Sequence, residues 1–256
     1  MELEYLTYEQ QEEIAILSIN RPEKRNAVND GLIEDFHRFF SNPPAAAKVV
    51  ILRGIGDHFS AGLDLAEHRE RTALEVMRHS QFWHKTCNLM EFGGLPIVAV
   101  LHGAVIGGGM ELAMTAQVRV ADHSAFYELP EGRRGIFVGG GASVRLAKII
   151  GADRTREMML TGRRYDAGEG QALGLSHYLI EEDEGMTRAM DLASTVAGNA
   201  PASNYMMLNA LSRIENMASQ EGFFTESLAA ALTQTSEHAR EGMRAFLEKR
   251  NAKFDE

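Results

Sequence analysis

Two acidic residues beside glycine-rich turns are where the sequence first points to chemistry. Glu111 closes the run GGGME at residues 107–111, which follows apolar residues and leads into a helical apolar pattern. Glycines there let a backbone approach a ligand closely, and the unpaired N–H groups of a first helical turn offer positive partial charge to an oxygen that becomes anionic. Glu131 follows Leu129 and Pro130 at the end of an extended piece and precedes Gly132, Arg133 and Arg134. Such a pair suits general acid–base work, one acid activating water and the other moving a proton on carbon. Each also has a plainer reading, the first as a strand-to-helix turn with a dipole-stabilising acid and the second as a solvated glutamate. The small-residue turn SAGLD at 60–64 could supply a further backbone N–H. If it converges with the glycine turn, the two donors form an oxyanion hole.

Other chemistries find little support. The nine histidines form no HxxH or HxxxH cluster, so no metal is assigned. Ser60 and Ser143 lack the GxSxG frame of an elbow nucleophile, and the glycine runs spell neither GxGxxG nor GxxxxGK[ST]. Cys87 is the one cysteine; it excludes an intrachain disulfide framework, reads as a half-buried small hydrophobe and fits a reducing, cytoplasmic setting. A formal charge of −10 disfavours nucleic acid and anionic membrane, so an anionic ligand needs a local basic patch. The loop at 21–26, with Lys24 and Arg25, is either that patch or a solvated turn. No run approaches ~18 apolar residues, so no membrane span is expected.

The elements that must position these groups alternate. Residues 14–19 read as a strand stopped by Pro22, and Asn29 or Asp30 caps a helix carrying Leu32, Ile33, Phe36, Phe39 and Phe40 on one face. Strands follow at 48–53, 96–101 and 117–121, with a further extended piece at 125–130. Between the first two of these lies an irregular helical segment, 66–91, holding Phe82, Trp83 and His84. Helices are expected at 143–150, closed by Gly151, and at 154–160 and 166–172, with a strand at 176–180. From 184 the pattern is helical, with segments at 203–217, 222–235 and 239–250. The outcome is an α/β core over residues 1–200 and a helical region over 201–256, packing on that core or on another subunit.

Six motifs in order carry a resemblance: INRPEKRN at 19–26, FSAGLDL at 59–65, HGAVIGGGMEL at 102–112, LPE at 129–131, GGGASVRL at 139–146 and EMMLTGR at 157–163. Together they resemble the crotonase, or enoyl-CoA hydratase/isomerase, family over nearly the whole chain. The resemblance implies a spiral of ββα units with a C-terminal helical region serving a trimer or a dimer of trimers. It places the oxyanion-hole N–H groups on Leu63 and Gly108 and the two acids of the hydratase subgroup at Glu111 and Glu131. Glu111 would hold and activate water while Glu131 exchanges a proton at Cα of a 2-enoyl-CoA. Lys24, Arg25, Ala61, Leu63, Asp64, Leu65, Gly108 and Pro130 would line the acyl-CoA site, with coenzyme A part of the substrate and no separate cofactor.

Isomerisation, an aromatic enoyl-CoA hydratase/lyase reaction and thioester binding without turnover remain open alternatives. His102, Gln117 and Val138 depart from the family's usual asparagine, aspartate and proline. Arg133 and Arg134 pose a sharper question, since a guanidinium within ~4–6 Å of Glu131 would favour its ionised form. Phe82 and Trp83 either pack their helix onto the core or, since they lie in the segment that shapes the family's acyl pocket, line a site for a bulky or aromatic acyl group.

Overall fold

The computed structural model describes residues 2–67 and 70–254. His68 and Arg69, inside the segment expected to shape a pocket, therefore lie outside the described residues, as do Met1, Asp255 and Glu256. Strands β1 (Leu6–Gln11), β2 (Ile14–Ile19), β3 (Val49–Gly54), β4 (Ile97–Leu101), β6 (Val118–Asp122) and β9 (Tyr178–Ile180) form one sheet in the order β1-β2-β3-β4-β6-β9. Only the β1–β2 pairing is antiparallel. A second sheet holds β5 (Ala104–Ile106), β7 (Phe126–Glu128) and the two-residue β8 (Tyr165–Asp166).

The second sheet is extended by single bridges, Val28 to Leu63 and Ser60 to Val105. Each unit therefore sends one strand to the large sheet, a short extended piece to the second layer and then a helix. Strand β2 is followed by Val28 and helix α1 (Asp30–Ser41), and β3 by Ser60, Leu63 and helix α2 (Ala73–Phe92). Strands β4 and β5 then lead into helix α3 (Gly108–Ala113), completing a third turn of a ββα spiral.

Alternation of side chains along the parallel strands divides the core in two. Ala15, Leu17 and Ile19 of β2 face the main core with Leu32, Phe36 and Phe39 of α1. Ile14 and Ile16 face the other way, with Val49, Ile51 and Val98, onto helix α7 (Gly185–Ala197). There Ala189, Ala193 and Ala197 recur at intervals of four, a stripe of small residues that lets the helix lie close to the sheet. Asn29 caps α1, its Oδ1 accepting from Leu32 N at 2.9 Å, and Thr72 and Glu75 form a reciprocal capping box on α2.

Several elements differ from the sequence reading. Residues 6–11, unassigned there, form edge strand β1, and the strand expected at 176–180 begins at Tyr178. After helices α4 (Ala142–Ile150), α5 (Ala152–Thr161) and α6 (Ala167–Leu173), the helix expected at 203–217 is broken. It consists of α8 (Pro201–Met206), a π-helical stretch Met207–Leu211 and the short α9 (Ser212–Ile214). Helices α10 (Ser219–Gln234) and α11 (Glu237–Glu248) follow. Cys87 is completely buried, not half-buried, because α2 turns it into the main core beside Met90. Among the described residues no helix is long and apolar enough to cross a membrane.

Candidate active site

Leu63 lies on a bridge whose hydrogen bonds are made by its neighbours. Val28 N–H donates to the Gly62 carbonyl at 2.7 Å and Asp64 N–H to the Val28 carbonyl at 2.9 Å. A parallel bridge built this way turns the amide of the middle residue to the opposite side. The Leu63 N–H accordingly has no acceptor among the described residues, and Leu63 lines a cavity of about 390 Å³. Gly62 holds φ at +87°, in the left-handed region open to glycine.

The glycine turn before α3 faces it. Gly107 takes φ +49° and anchors its own N–H on the Glu128 carbonyl at 3.0 Å, while Gly108 begins the helix with an N–H that has no acceptor among the described residues. A Cβ added to Gly62 would lie 3.5 Å from Gly108 N, and one added to Gly108 would lie 3.7 Å from Leu63 N. The two turns are therefore in contact, and both donor residues line the same cavity. Asp64 closes the first turn from behind. Its Oδ2 accepts from Arg21 Nη2 at 3.0 Å and its Oδ1 from Ala66 N at 3.1 Å. Burial opposes ionisation of Asp64, but Arg21, Lys24 and the turn amides outweigh it and hold the carboxyl below its ordinary value.

Glu111 and Glu131 line this cavity too, in unlike surroundings. Glu111 is 4% exposed, and its Oε1 accepts from Gly140 N at 2.7 Å and Ala142 N at 3.0 Å. Burial raises its pKa, and those amides partly offset the rise. The amides come from the second glycine cluster, 139–141, and from Ala142 at the start of α4, and the Gly140 carbonyl is in turn held by Arg145 Nη1 at 3.3 Å. Arg145 is itself fixed by Glu91 and Asn88 on α2. Sequence reasoning noted that cluster and gave it no task; its glycines are the signal, because a Cβ on Gly140 would stand 2.7 Å from Glu111 Oε2.

Glu131 starts a 3₁₀ turn and is 7% exposed, and its Oε2 is buried with no hydrogen-bond partner among the described residues. Burial pushes its pKa up to about 7; the Glu111 charge adds to the rise, while its own backbone N–H and Arg134 counter it. Arg133 turns away, donating to the Thr161 carbonyl at 2.8 Å and to Glu128 Oε1 at 3.4 Å. A group titrating near neutrality can both give and take a proton at working pH.

Four expected residues, Leu63, Gly108, Glu111 and Glu131, thus line one cavity. Asp64 joins Leu63 in lining an adjoining space of about 320 Å³, while Lys24, Arg25, Ala61, Leu65 and Pro130 line neither. Lys24 Nζ lies 3.5 Å from Asp64 Oδ2 and 3.7 Å from Glu67 Oε1, and the Arg25 carbonyl accepts from Ala61 N at 2.9 Å, tying the basic loop to the donor turn. Trp83 lines the cavity, its six-membered ring against Gly108 and Gly140. Phe82 instead packs on His37 of α1, with ring centroids 5.0 Å apart. The two aromatics thus divide between the two readings, Phe82 packing α2 onto α1 and Trp83 lining the cavity, because successive helical residues diverge by about 100°. Val138 also lines the cavity. Gln117 ties β4 to the end of α2 through Ile97 N and the Glu91 carbonyl, and His102 Nε2 pairs with the Gly56 carbonyl at 2.9 Å.

A ββα spiral with two acids and two outward amides on one cavity has the layout of the crotonase fold. The family model for enoyl-CoA hydratase/isomerase matches residues 9–256, and the chain belongs to that family. It is 29% identical to the short-chain-enoyl-CoA hydratase of Clostridium acetobutylicum over 98% of this chain and 97% of that protein. Identity to the crotonyl-CoA hydratase of Syntrophomonas wolfei is 30%, over 99% of both chains. Among solved structures, a Rhodopseudomonas palustris protein with a provisional enoyl-CoA hydratase name shares 47% identity and a TM-score of 0.93, over 96% of this chain and 95% of that one.

Proposed function

We propose that the protein adds water across the 2,3 double bond of an enoyl-CoA thioester. The observation that carries this reading is the pair of unlike acids on one cavity, Glu111 fixed by two backbone amides and Glu131 with an Oε2 that has no partner among the described residues and a pKa of about 7. Both amide bonds of Glu111 fall on Oε1, so Oε2 takes a proton from the attacking water as its oxygen bonds to Cβ. Protonated Glu131 delivers a proton to Cα. The negative charge that builds on the thioester oxygen is held by the N–H groups of Leu63 and Gly108. One such donor is worth about 10²–10³ in rate. Proton exchange between the acids and solvent restores the starting state.

Lys24, Arg25, Ala61, Asp64, Leu65 and Pro130 are assigned to the flank that receives the coenzyme. Lys24 is 42% exposed, and ion pairs at such exposure are weak, so its ammonium can exchange Asp64 for a phosphate. The chain is read as one unit of residues 1–200 with a helical extension, 201–256, that self-associates as a trimer or a dimer of trimers. Support comes from Phe223, Phe224, Leu228 and Leu232 on α10 and Met243, Phe246 and Leu247 on α11, all exposed. Light scattering tests the assembly. A cytoplasmic setting accords with the single buried thiol.

Loss of enone absorbance with crotonyl-CoA tests the reaction. Aldehyde release from a cinnamoyl-type thioester would favour the lyase alternative, and tight binding without turnover would reduce the protein to a thioester binder.

A further inference from the structure

The cavity wall carries a polar cluster that the addition of water does not use. Arg71, just before α2, and His79, on α2, both line the cavity and meet one carboxylate, that of Asp30 at the start of α1. Arg71 Nη2 donates to Asp30 Oδ2, and His79 Nε2 lies 2.8 Å from Asp30 Oδ1. Burial works against ionisation of Asp30, but the charges of His79 and Arg71 outweigh it, so its pKa is lowered and the carboxylate persists as their common anchor.

Neither partner is saturated by that anchor. A guanidinium carries five N–H donors in a fixed fork, and Asp30 is the acceptor Arg71 has among the described residues. The second ring nitrogen of His79 has no hydrogen-bond partner there. The Arg71 side chain is 11% exposed, and Val76, Ile136 and Phe137 line the same cavity. Fixed donors beside apolar walls discriminate strongly, because a ligand lacking the matching acceptor leaves them desolvated and unpaired.

We propose that Arg71 and His79 select 2-enoyl-CoA thioesters whose acyl chain ends in an oxygen acceptor, a carboxylate or a hydroxyl, with Asp30 holding both donors toward it. The proposal rests on the hydratase reading above and names its substrate class. A carboxylate uses the guanidinium charge in a charge-assisted bond, whereas a hydroxyl uses only the donors.

The test compares kcat/KM for three six-carbon thioesters: hex-2-enoyl-CoA, its 6-hydroxy derivative and the 6-carboxylate, hex-2-enedioyl-CoA. At least one oxygenated substrate should exceed the alkyl one by about tenfold or more, the factor that ~1.4 kcal/mol supplies. Which of the two ranks higher separates charge from hydrogen bonding. Arg71→Met should lower the oxygenated-to-alkyl ratio by about tenfold, and Arg71→Lys should restore part of it for the carboxylate. A wild-type preference for the alkyl chain, or an unchanged ratio in Arg71→Met, overturns the proposal. If none of the three is hydrated, the hydratase reading fails separately. Calorimetric binding of the same thioesters then decides the proposal, supported by tighter binding of an oxygenated chain and overturned by equal or weaker binding.

Discussion

The Gly140 N–H donates to Glu111 Oε1 at 2.7 Å, joining two glycine-rich turns 29 residues apart in sequence. A methyl group at Gly140 would come within 2.6 Å of Trp83 Cε3 and 2.7 Å of Glu111 Oε2. Gly140→Ala must therefore move the carboxylate or the indole. Since small misplacements at a reacting centre cost on the order of 10²-fold, kcat of this variant should fall by about that factor. Circular dichroism should show the fold retained, and steady-state kinetics should place the loss in kcat more than in KM.

Glu111→Gln and Glu131→Gln each keep the shape of the side chain while removing its proton chemistry. General acid–base groups contribute about 10²–10⁴-fold, so each single variant should lose at least about 10² in crotonyl-CoA hydration. Full activity in both would overturn the two-acid mechanism.

The two glutamates should differ in what their charge costs the fold. The folded pKa of Glu131, about 7, lies above the ~4.3 of an unfolded glutamate. Between those values the folded state holds a proton that the unfolded state has released, so stability falls as pH rises through the window and stays lowered above it. Glu131→Gln removes that penalty. Its advantage in urea unfolding should grow by about 2–3 kcal/mol between pH 5 and pH 8; a difference that does not grow with pH would show that burial is not the cause.

Cys87 should be inert in the folded protein. Its thiol is fully buried, and burial pushes its pKa up to about 12, so almost no thiolate forms at pH 8. A disulfide reagent such as DTNB should leave the native protein unmodified over minutes and titrate one thiol per chain in denaturant.

The features legible in the sequence were those written in side chains. Strand β2 is buried at all six positions, and the Asn29 cap together with Leu32, Phe36 and Phe39 marks α1. Glu111 and Glu131 each also fit a plain reading, and it is the ordered set of six motifs around them that assigns them roles. The features not legible depend on backbone or on distant partners. Strand β1 buries only Leu6, and its polar residues pair with β2 as an edge, leaving no periodic signal to read. The amides of Gly140 and Ala142 that fix Glu111 act through the backbone, and the glycines beside them mark room for the carboxylate without naming it as the partner. Arg71, His79 and Asp30 meet from segments 41 to 49 residues apart, a closure that local patterns do not encode.

The bridge between Val28 and Leu63 gives the donor turn a property of parity. In an extended chain successive amides point to opposite sides. Gly62 and Asp64 bond toward Val28, so the residue between them faces the cavity whatever its side chain. The turn at 61–64 can thus tolerate a change of residue at 63 far better than a change of length. Adding or deleting one residue would turn the cavity-facing amide into the second layer and bring a bonding amide out in its place, shifted along the wall, without altering any acid of the site.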